Sequence, residues 1–177
     1  MGLLYFVIGF FQAAAEYFRM EESRLIYSDT LYVIIKVIVF ITFFFFQRGF
    51  IVAGYLFRNY LLKIVSYILI FGTLLVVTYD IASLFYDAVE RQFILGAEAV
   101  TFGGIWIIYG VALMRLKNRV GLVANFAGVF EIVAGCFYIT VVLFFIGAII
   151  RIPAELFEIA ILYKSAELIR EKQQKTE

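Results

Sequence analysis

Apolar residues occupy this chain in long runs, and short clusters of charge separate them. A helix that crosses a bilayer needs about 20 predominantly apolar residues. Reading between the charges gives six such segments: Leu3 to Phe18, Thr30 to Phe57, Ile64 to Tyr86, Gln92 to Met114, Val120 to Ile150 and Pro153 to Ile169. The second is long and is interrupted at Gln47-Arg48-Gly49. A tilted helix accommodates such excess length, and one helix is expected there in preference to a span plus a re-entrant piece. The sixth is the most polar, with Glu155, Glu158, Lys164 and Glu167. Proline suits the first turn of a helix, where its missing N–H costs nothing, so Arg151-Ile152-Pro153 reads as a tight link before that helix. The segment then either spans with its polar face inward or lies along the interface as an amphipathic helix.

The expected architecture is an all-α membrane protein, a six-helix transmembrane bundle over residues 1–171 with a short charged cytoplasmic tail, 172–177. The second, fourth and sixth segments each close on an aromatic residue, then small or apolar residues, then basic ones, as in Gly54-Tyr55-Leu56-Phe57-Arg58. Three helical hairpins in series would produce this pattern. The ordinary preference for aromatic and basic residues at a cytoplasmic membrane face would produce it too.

Composition strengthens the membrane reading. Of 177 residues, 64% are hydrophobic and only 16% are charged, against roughly 45–50% apolar in a soluble domain. One core of this size cannot hide so much apolar surface, so the surplus faces an apolar solvent. There is no histidine and a single cysteine, Cys136. That removes histidine acid–base chemistry, histidine ligation and any intrachain disulfide. Cys136 lies among apolar residues with no base to activate it, and it reads as a packing residue. No carboxylate-rich metal motif occurs, so neither an enzyme nor a metal site is expected, and no cofactor is indicated. The net charge of +1 and the scattered basic residues argue against a nucleic-acid partner. The partners implied are the lipid bilayer and either a second copy of the chain or another membrane subunit.

Leu3 to Phe11 followed by Ala13-Ala14-Ala15 imitates a signal peptide, but the positive n-region that such a peptide needs is missing. An uncleaved first helix is expected. With six spans and both termini cytoplasmic, nine basic residues fall inside: Arg58, Lys63, Arg115, Lys117, Arg119, Lys164, Arg170, Lys172 and Lys175. Four fall outside: Arg19, Arg24, Arg91 and Arg151. The positive-inside rule selects this orientation. The outer side instead gathers carboxylates, among them Glu21, Glu22, Asp29, Asp87 and Glu90.

Charges inside the spans carry the most information, because each costs at least about 2.5–3.5 kcal/mol to insert. At about 1.5 Å per residue from the cytoplasmic ends, Arg48, Glu131 and Gln12 all fall near mid-depth. A buried Arg48–Glu131 pair is expected, with Gln12 or Gln47 beside it. Glu16, Asp80, Glu98, Glu155 and Glu158 fall in the outer half and are candidates to line a site for a cation, a proton or an amine. Lys36 lies near the outer end, where its long side chain can snorkel to the headgroups. Gly121, Gly128 and Gly135 recur every seven residues and predict a close-packed helix stripe, since small residues drive packing where lipid surrounds the helices.

Two functions compete. One is a small transporter, channel or membrane solute-binding subunit built around the intramembrane charges. The other is a non-catalytic structural or assembly subunit of a larger membrane complex, whose charges set helix register. Helix number and size resemble those of the substrate-binding subunits of vitamin importers. That resemblance is at the level of fold plan and carries no residue over.

Overall fold

The computed structural model describes residues 2–21, 29–85 and 91–174. Among them there are seven helices and no strand: α1 (Gly2–Glu21), α2 (Asp29–Leu56), α3 (Tyr60–Ala82), α4 (Arg91–Met114), the single turn α5 (Lys117–Val120), α6 (Leu122–Ile139) and α7 (Phe144–Gln174). Four of these, α2, α3, α6 and the stretch Phe93–Met114 of α4, are long and apolar enough to cross a membrane, and they mark a multi-pass membrane protein.

The helices are inside-out relative to those of a soluble bundle. On α7 the exposed residues include Phe145, Ile149, Ile152 and Leu156, while Glu158 and Ser165 are buried. On α2 the exposed residues include Ile34, Ile38, Ile41 and Phe45, while Lys36, Thr42 and Gln47 are buried. An apolar stripe at helical spacing that faces outward fits lipid rather than water.

Packing follows chain order and closes into a ring. α1 lies on α2, α2 on α3, α3 on α4, α4 on α6 and α6 on α7, and α7 touches both α1 and α2. The most extensive contact, α4 on α6, joins the second and third of the expected hairpins. Glycines make this contact close. A Cβ on Gly110 would stand 2.5 Å from the Gly128 carbonyl oxygen, and one on Gly135 would stand 2.6 Å from that of Gly103. Gly128 and Gly135 therefore lie on the expected stripe, paired with a second heptad-spaced pair on α4. Gly121 does not join them. It has φ +89° and links α5 to α6, a left-handed position that glycine occupies without steric cost.

Segment two is a single 28-residue helix through Gln47-Arg48-Gly49. The boundary between the fifth and sixth segments falls elsewhere than the proline suggested. The chain turns at Thr140–Leu143, with Val141 at φ 55°, and Pro153 lies inside the 31-residue α7. Pro153 withholds one hydrogen bond from the Ile149 carbonyl, and the helix continues past it. This relocation moves Arg151 from a link into the interior of α7.

At the opposite end, Asn59 caps α3. Its side chain accepts from the Leu62 amide at 3.2 Å and donates to the Ala112 carbonyl at 2.8 Å, which ties the α2–α3 turn to α4. Below it, Phe46, Phe50, Leu62, Leu69, Tyr109, Leu113 and Ile161 form the interior. Cys136 is exposed on α6 rather than packed within the bundle.

Candidate functional site

The ionisable groups at mid-depth come from α6 and α7. Glu131 is fully buried on α6, and the cation beside it is Arg151, whose Nε lies 3.6 Å from its Oε1. Arg151 also donates from Nη2 to Oε1 of Glu155 at 3.1 Å, one turn along α7. Its guanidinium stacks over the Trp106 ring, 4.1 Å from the centroid, and Trp106 in turn meets Tyr138 edge-on at 4.4 Å. Glu158, 1% exposed, stands one turn beyond Glu155 on the same side of α7 and faces Glu131. The i, i+4 and i, i+3 spacings from Arg151 to Glu155 and Glu155 to Glu158 bring these side chains together on a helix. The α6–α7 register brings Glu131 to the same level, as the contacts of Phe157 with Phe126 and Phe130 show.

The result is three carboxyl groups around one guanidinium. Among the described residues, no donor reaches either Glu131 oxygen or Oε1 of Glu158 within hydrogen-bond distance. Tyr5, Tyr109 and Tyr138 surround the cluster from α1, α4 and α6, and the Gln47 amide lies beside the Tyr109 hydroxyl. Among the described residues, no three carboxylates converge as they would on a metal ion.

The cluster forms one wall of a cavity of about 480 Å³ between the helices, reached by Arg151 and Glu155 and flanked by Tyr5, Trp106, Tyr138 and Gln12. A second cavity of about 440 Å³ contains Glu98 and shares Gln12, Thr73, Phe102, Trp106 and Tyr138 with the first. These shared walls make the two cavities neighbours, together called the vestibule, with Arg151 and Glu155 in the first and Glu98 in the second.

The sequence-predicted residues divide as follows. Glu131, Glu155 and Glu158 meet in the cluster, Gln47 lies near it, and Gln12 lines the vestibule. Arg48 is exposed on α2, so the expected Arg48–Glu131 pair is replaced by Arg151–Glu131. Its neighbour Gln47 is the one turned inward, since adjacent helical residues point about 100° apart. Asp80 is separate from the cluster and makes a buried ion pair with Lys36 between α3 and α2, so Lys36 does not snorkel. Glu98 lines the outer part of the vestibule. Glu16 lies on α1, with its side chain outside the described residues. Arg151, Tyr5, Trp106, Tyr109 and Tyr138 were missed as site residues. The helical spacing of Arg151, Glu155 and Glu158 was the available signal, hidden by reading Pro153 as a boundary. No protein-family model, no curated protein and no solved structure matches this chain.

Proposed function

We propose that this protein is a membrane transporter or solute-binding protein whose intramembrane centre receives a small organic cation. One observation carries the reading: Arg151 and Glu155 line the cavity wall, with Glu131 paired to the same guanidinium and Glu158 buried close behind. Buried ionisable groups that face a cavity are costly to keep and are the usual mark of a solute or ion path. The aromatic walls narrow the class. Trp106, Tyr5 and Tyr138 offer ring faces, and cations over such faces gain about 0.5–2 kcal/mol. Arg151 already occupies the Trp106 face, so it acts as an internal stand-in for the incoming charge.

In this reading six helices cross or enter the bilayer. α7 falls short of the apolar criterion only because it carries Arg151, Glu155 and Glu158, which turn toward the bundle while its apolar stripe turns outward. α1 runs antiparallel to α2, with Tyr5 against Phe43 and Phe46. The start of α1 and the end of α7 then point to the same side, the cytoplasmic one. With Arg151 moved into a helix, the basic count becomes nine inside against three outside, a stronger bias than before.

The test uses full-length protein in lipid nanodiscs, with ethylammonium, guanidinium, tetramethylammonium and sodium as probes. An organic cation that binds the native state raises the unfolding temperature, by an amount that grows with the logarithm of its concentration once above its Kd. We expect a concentration-dependent rise with at least one organic probe, lost in Glu155→Gln and absent with sodium. No rise with any probe, or an equal rise in Glu155→Gln, would refute the assignment.

A further inference from the structure

We infer that Glu131 and Glu158 form a buried proton-binding pair that holds one shared proton when the vestibule is empty. Phe157, next to Glu158 on α7, meets Phe126 and Phe130 of α6, and this register sets Glu158 against Glu131. The two carboxyl groups are 1% and 0% exposed. Among the described residues, no donor reaches either oxygen of Glu131 or Oε1 of Glu158 within hydrogen-bond distance. Two ionised carboxylates have only acceptors to offer one another, and like charges this close in a low dielectric cannot both stay ionised. A single proton turns the repulsion into an O–H···O⁻ bond, among the strongest neutralising contacts available to such a pair.

The surrounding groups set the stoichiometry. From α7, Arg151 faces Glu131 and is held on its other side by Glu155. Tyr5 from α1, Tyr109 from α4 and Tyr138 on α6 complete the shell. Tyrosines supply no positive charge, and among the described residues Arg151 is the only cation in this shell. One guanidinium balances one of three carboxyls, and one shared proton balances a second. A single negative charge is left for the vestibule. This consequence rests on the proposed function and makes the ligand monovalent. The pair itself does not depend on a ligand.

Infrared difference spectroscopy on ligand-free, full-length protein in nanodiscs tests the pair, with glutamate carboxyls isotopically labelled. The wild type should show a protonated-carboxyl C=O stretch at neutral pH that shifts in deuterium oxide. Glu155→Gln should keep the band, and Glu131→Gln/Glu158→Gln should lose it. A wild-type spectrum without the band, or a band that survives in the double variant, overturns the inference. Should the double variant fail to fold, Glu158→Gln replaces it. Glu131 then faces Arg151 alone and ionises, so the band should vanish there too, and its persistence counts against the pair. Because no cation is added, failure here leaves the vestibule assignment standing, and failure of the cation assay leaves the proton pair standing.

Discussion

Substituting Gly110 by alanine tests how the bundle is held together. The added Cβ would stand 2.5 Å from the Gly128 carbonyl oxygen, 2.8 Å from Ile132 Cγ1 and 3.1 Å from the Ile132 amide nitrogen. A relaxed carbon–oxygen contact of this kind lies at about 3.3–3.6 Å. α4 and α6 must therefore separate locally by roughly 1 Å. Much of the obstruction is backbone, and the matching Gly103–Gly135 contact one heptad away resists a rigid shift. Overpacking of this kind costs about 1–3 kcal/mol. Alanine also favours a helix over glycine by about 1 kcal/mol, so a matched control is needed. Gly104 provides it, on the same helix and with nothing within 4 Å of its added Cβ. The propensity gain cancels between the two variants, and Gly110→Ala should be less stable than Gly104→Ala by about 1–3 kcal/mol. Trp106 is the only tryptophan in the chain and lies within about one turn of both sites, so its fluorescence reports unfolding in mixed micelles. Equal stability of the two variants, or a less stable Gly104→Ala, would refute the close-packing argument.

Breaking the buried charges should be costly in a way that depends on the partner. Arg151→Gln leaves Glu131 and Glu155 without their cation and should lower stability by about 3–5 kcal/mol; in denaturation experiments, adding Glu131→Gln should recover part of that loss. Asp80→Asn strands Lys36 on α2 and should cost a similar amount, about 3–5 kcal/mol, whereas Lys36→Met/Asp80→Leu should be close to neutral. A spin label attached at Cys136 in detergent and reconstituted into lipid should relax faster with oxygen than with a water-soluble nickel complex, because α6 presents this residue outward; the reverse ranking would remove α6 from the bilayer. In a Cys136→Ser background, Asn118→Cys between α4 and α6 should react with a membrane-impermeant maleimide only from the cytoplasmic side of oriented vesicles.

The hydrophobic pattern alone was enough to place the chain in a bilayer and to locate its principal helices, because the need for about 20 apolar residues per crossing writes itself along the sequence. The heptad of Gly128 and Gly135 was legible as close packing, since lipid gives helices no other cheap way to adhere. The turn at Thr140–Leu143 was not legible, because no glycine, proline or charge marks it. Pro153 misled in turn, since its local preference for a helix start was outweighed by the packing of α7 against α6. Above all, the sequence does not state which way a residue faces within its turn. A step of one residue separates the buried Gln47 from the exposed Arg48, and only the mutual rotation of packed helices could decide between them. That rotation selected Arg151 over Arg48 as the partner of Glu131 and gathered three carboxyls around it, and so it made the site.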